Sequence, residues 1–160
     1  MKAPLITKRS DRRFSIQEVR EALEGDWPAE IYRVEVLSGR IRAFRFSRTP
    51  RWRRIQILHS LLGIELKLGC QRINVPDLAT ARYLAIFARL GVRNVAVPYD
   101  ITRIAVIADR LEGAHRRLLV LVDHLTRSAT PSAAHSFRRR VLRELRADLM
   151  ALSDRVGGLS

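Results

Sequence analysis

The sequence predicts a fold of the α/β or α+β class, with a β-hairpin and a βαβ unit in one small mixed sheet, helices packed against it, and a C-terminal antiparallel helical hairpin. Three observations carry this reading. β-Branched and aromatic residues gather in two runs between residues 31 and 47 that Ser38-Gly39 interrupts. A unit of glycine, short apolar strand, proline and helical segment recurs with a period of 22, through Gly69, Gly91 and Gly113, Val75-Pro76 and Val97-Pro98, and Thr80 and Thr102. Beyond Asp100, apolar residues step by threes and fours over two long segments.

Ser15-Ile16-Gln17-Glu18 matches a capping box, which opens a short helix over 16–24. Gly25 suits its left-handed end, and Pro28 cannot continue it. Next come the two runs, Ile31 to Leu37 and Arg40 to Ser47, expected to pair about a Ser38-Gly39 turn. One face then holds Tyr32, Val34, Val36, Ile41 and Ala43, and the other interleaves Arg33, Arg40 and Arg42 with Phe44 and Phe46. Thr49-Pro50 reads as an N-cap followed by a proline at the first helical position, opening a buried helix to about Leu66. The alternation Ile64-Glu65-Leu66-Lys67-Leu68 leaves room for a strand at its end.

Strands at Arg72 to Val75 and Asn94 to Val97, joined by a helix, make the βαβ unit, whose strands are expected to lie parallel with a right-handed crossover. Ile101, Ile104, Ala108, Leu111, His115, Leu118, Val122 and Leu125 then form the seam of a long helix. After a polar connection at 128–134, Leu142, Leu145, Leu149, Leu152 and Val156 repeat it. The domain reading is an α/β core over 1–100 and a helical hairpin over 101–160, packed as one unit.

Composition sets the partner class. The 160 residues are 47% hydrophobic and 29% charged, enough to bury one core. Thirty Lys and Arg against sixteen Asp and Glu leave a net charge of +14, which favours polyanions. Only Lys2, Lys8 and Lys67 are lysines; the codon usage of a GC-rich bacterial genome explains arginine over lysine, but not basic over acidic. The excess sits in residues 1–54, with fourteen basic and seven acidic, and in 114–160, with nine and four. The single cysteine, Cys70, can form neither an internal disulfide nor a metal cluster alone, and Met1 to Arg9 lacks an apolar core of secretory length. A cytoplasmic location without membrane insertion is the expectation.

The candidate site residues are Arg45, Arg48, Arg51, Trp52, Arg53 and Arg54, with Arg139, Arg143 and Arg146 as a second set. The first run has no acid, and its arginines oppose the dipole of a helix start unless an anion sits there. Trp52 and Phe46 add rings on which unpaired bases stack. The second set forms one helical stripe, spaced to track a phosphate backbone and partly neutralised by Glu144 and Asp148. The leading expectation is a nucleic-acid-binding protein without enzymatic activity, cofactor or metal. An assembly or adaptor module comes second, using the helical hairpin for an acidic protein partner or for homo-oligomers. A metal-dependent nuclease at Asp77 and Asp100 comes third, although both positions suit helix caps.

His59, His115, His124 and His135 lack zinc-ligand spacing. Arg110 to His115 and Arg117 to His124 share the Arg-to-His spacing of HEPN ribonucleases, from whose all-helical fold the strands expected here depart. The seam makes a direct prediction about stability. Leu118→Ala should cost on the order of 2–5 kcal/mol in urea unfolding if the long helix buries this face.

Overall fold

Side-chain caps open the four longer helices of the computed structural model, which describes residues 14–50 and 54–157. Ser15 accepts from the Gln17 amide at 3.2 Å and opens α1, Ile16–Leu23. Asp77 accepts from the Thr80 amide at 2.7 Å and opens α3, Leu78–Arg89. Asp100 accepts from the Thr102 amide and opens α4, Ile101–Leu125. Thr130 accepts from the Ala133 amide at 3.2 Å and precedes Pro131, the first residue of α5, Pro131–Gly157. A short α2, Pro28–Ile31, starts on its proline and widens into a π-helical stretch, Tyr32–Val36, where the Leu37 amide reaches back to the Tyr32 carbonyl.

The class is α+β, with two small antiparallel sheets in place of one mixed sheet. Strand β1, Ile41–Arg45, pairs with β5, Asn94–Pro98, with Ala43 opposite Ala96. Strands β2, Ile55–Ser60, β3, Gly63–Leu68, and β4, Gln71–Val75, form a meander. Three connections therefore differ from expectation. Residues 31–36 are helical, not a strand, because Trp27, Ile31, Tyr32 and Val36 are buried at helical spacing while Val34 is exposed; tertiary packing overrides their β propensity. The segment expected as a buried helix up to Leu66 is the β2–β3 hairpin. Its turn is hidden in sequence by two leucines, Leu61 and Leu62, that stand fully in solvent. The Ser60 hydroxyl accepts from the Leu62 amide there, and Gly63 supplies a φ of 118°. The strands flanking α3 belong to different sheets, so no parallel βαβ pair forms: β4 turns back on β3 through Gly69, at φ 64°, and Cys70.

Helix α3 lies against the meander on one side and α4 on the other, with Tyr83, Leu84, Ala85, Ile86, Phe87 and Ala88 all buried. Along α4 the expected seam buries Ile104, Ala108, Leu111, Leu118 and Val122, while Ile101 is exposed. Helices α4 and α5 make the C-terminal helical hairpin, but the buried stripe of α5 is Phe137, Val141, Leu145, Leu149 and Ser153, rotated from the expected leucines. The rotation follows from its neighbours, since α5 packs on α2 and β5 as well as α4. One hydrophobic core takes residues from both the first hundred positions and the two long helices.

Strand β5 is buried yet has a neighbour on one edge only. On the other edge the Ala96 amide donates to the Tyr32 hydroxyl at 2.9 Å, and the Ala96 carbonyl accepts from the Tyr83 hydroxyl at 2.5 Å. The Tyr32 hydroxyl also shares a hydrogen bond with Ser153 Oγ, 3.0 Å away on α5. Tyr32→Phe leaves a buried amide unpaired and should cost about 1–3 kcal/mol in urea unfolding. Burial raises both phenol pKa values above the ordinary 10.0. The folded state therefore holds its phenolic protons more tightly than the unfolded chain. Stability present below about pH 10 should fall as pH rises beyond it, and a flat alkaline profile would contradict this arrangement.

Candidate functional site

The exit of β1 is fixed by backbone bonding. Phe46 is buried, its amide donates to the Arg93 carbonyl at 3.0 Å, and the Arg93 guanidinium donates to the carbonyls of Phe46 at 2.9 Å and Ser47 at 2.8 Å. Gln71, at the start of β4, donates through its side chain to Ser47 Oγ, and the Gly69 amide donates to the Arg54 carbonyl at 2.9 Å. These contacts bring the segment after β1 alongside the β3–β4 turn. Opposite stands the end of α3, where Gly91 reverses the chain at φ 75°. Arg146 of α5 lies across that glycine: a Cβ added to Gly91 would stand 3.3 Å from Arg146 Nε and 3.7 Å from the Pro50 carbonyl oxygen.

Between these walls runs a groove of about 1500 Å³ that takes Arg48, Arg54, Arg89 and Arg146 into its lining and, among the described residues, no acidic one. The two arginine sets of the sequence thus meet through one member of the second, Arg146. Arg45 is exposed at the end of β1, and Arg139 and Arg143 are exposed along α5, but none of the three lines the groove. Arg51, Trp52 and Arg53 lie outside the described residues. Arg89 is the member that sequence reasoning misses, because only the packing of α3 against the turn and α5 brings it there.

The acids are engaged elsewhere. Glu144 and Asp148, which in sequence partly neutralise the α5 stripe, bind Arg20 of α1 at 2.8 and 2.7 Å, and Asp148 also accepts from Trp27 Nε1 at 3.0 Å. Glu112 and Asp109 clasp Arg82 and hold its pKa above the ordinary value by hydrogen bonding. Glu35 pairs with Arg103 and Arg110, and Asp26 with Arg110 and Arg117. Among the described residues no ion pair includes Arg48, Arg54, Arg89 or Arg146. Arg146 goes further, since its Nε is buried with no hydrogen-bond partner. Near Arg89 and Arg138, half-buried His115 has a lowered pKa, first from burial and then from those two positive charges.

Asp77 and Asp100 are both spent as helix caps. Asp100 also accepts from the Thr102 hydroxyl at 2.7 Å, the main cause of its lowered pKa. The described residues contain no group of three or more His, Cys, Asp or Glu suited to a metal ion. Among them no helix is long and apolar enough to cross a membrane. No protein-family model matches the chain, and no curated protein or solved structure matches it either.

A buried, unpaired guanidinium nitrogen costs stability, so Arg146 has an unusual mutational signature. Arg146→Met keeps most of the stem against Gly91 and removes the orphan donor. Unfolding free energy should stay the same or rise; a loss beyond about 1 kcal/mol, the net worth of an ordinary hydrogen bond, would assign the guanidinium a structural role.

Proposed function

We propose that the protein binds nucleic acid, without an enzymatic step, by gripping phosphates with Arg48, Arg54, Arg89 and Arg146. One observation supports the reading: the four guanidinium groups line a single groove with no acid among its described residues, while Glu144, Asp148, Asp109, Glu112 and Glu35 are engaged in ion pairs elsewhere. Like charges gathered in a concave surface repel one another, and a chain of phosphates offsets that repulsion with bidentate hydrogen bonds. Arg139 and Arg143 continue from Arg146 along α5 and give an extended ligand further phosphate contacts.

Phosphate binding of this kind declines steeply with salt, and the log–log slope counts the counterions released. Replacing Arg48, Arg54 and Arg89 together with Gln should weaken every polynucleotide about equally and flatten the slope by roughly one unit per lost contact. Arg33→Gln, which removes a partner of Glu30 far from the groove, should leave affinity unchanged. Unchanged binding by the triple variant would move the contacts to Arg139 and Arg143. Absence of salt-sensitive binding by the unaltered protein would end this reading and leave an adaptor for an acidic protein partner.

A further inference from the structure

The groove offers more than charge. Among the described residues the lining between its arginines is uncharged, with Pro50, Leu68, Gly69, Cys70, Leu90 and Gly91. Gly69 has a positive φ of 64° and presents bare backbone where a side chain would otherwise project, whereas Gly91, at φ 75°, is covered by Arg146. An added Cβ on Gly69 meets nothing within 4 Å, so the space before that turn is open. Positive groups and uncharged surface therefore share one concavity.

A duplex matches this pattern poorly. Its bases are stacked inside, and it presents convex rows of phosphate that reach the arginines at a rim but leave the uncharged lining unused. An unpaired strand can turn its bases away from its backbone, so that phosphates meet guanidinium groups while base faces lie on apolar surface and peptide planes. We infer that the ligand of the groove is single-stranded nucleic acid, its phosphates on Arg48, Arg54, Arg89 and Arg146 and its bases against Leu68 and the Gly69 turn. This rests on the nucleic-acid reading above and narrows it to one class of substrate.

Cys70 provides the experimental handle, because it is the only cysteine of the chain, is exposed and lines the groove. Alkylation with N-ethylmaleimide adds bulk there without changing charge. The full chain is titrated by fluorescence anisotropy against oligodeoxythymidine, oligouridine and a dA·dT duplex of equal length, at two salt concentrations. At least one of the two unpaired strands should bind about tenfold or more tightly than the duplex, the ratio given by one base contact of ordinary strength. The two single strands distinguish RNA from DNA as the source. Alkylation should erase that preference by weakening the single strands and sparing the duplex, and Cys70→Ser protein given the same reagent should keep it. Duplex binding as tight as single-strand binding, with steep salt dependence, would overturn the inference and leave the phosphate reading standing. So would alkylation that leaves single-strand affinity unchanged. Lack of salt-sensitive binding to all three probes would overturn both.

Discussion

A strand buried on both faces must satisfy its backbone on both edges, and β5 has a partner on one edge only. Two tyrosine hydroxyls complete it at Ala96, one taking the amide proton and the other serving the carbonyl. Tyr32 comes from the π-helical stretch and Tyr83 from α3, and Ser153 of α5 joins the same network. A single residue of β5 thereby orients three other elements in low-dielectric surroundings, where hydrogen bonds are strong and errors are costly. The groove depends on that orientation. Its walls are the exit of β1, which pairs with β5, the end of α3 and the flank of α5.

The local rules were legible in the sequence. Ser15, Asp77 and Asp100 cap helices as their positions suggest, and α3, α4, α5, β4 and β5 fall close to the expected segments. Pairing was less accessible. A two-leucine turn at Leu61-Leu62 carries none of the usual glycine or asparagine signal ahead of it, so the β2–β3 hairpin reads as a continuous apolar helix. The residues directly after Thr49-Pro50 lie outside the described residues, and the helix expected there is overturned from Ile55 onward, where β2 begins.

The arginine excess was visible at once, but its geometry was not. Charge counts along the chain treat Glu144 and Asp148 as neighbours of Arg143 and Arg146, while the helix turns them toward Arg20 and Trp27 on the opposite flank. The same helix sends Arg146 to Gly91. Which positive charges keep a counter-charge is decided by packing among α1, α4 and α5, over separations that no sequence window spans. Arg89 shows the limit most clearly, being one arginine among many until α3 ends beside the β3–β4 turn.

The Tyr32–Ser153 contact joins residues 121 positions apart, and Tyr32 to Ala96 spans 64. Such closures carry a larger loop-entropy cost than the meander β2–β3–β4, whose strands are near neighbours in the chain. Synthesis imposes an order of its own. Arg48, Arg54 and Arg89 emerge from the ribosome well before α5 can supply Arg146 and the hydroxyl that fixes Tyr32. The nascent chain therefore carries these charges ungathered until α5 has emerged, and the groove is complete only when that helix docks.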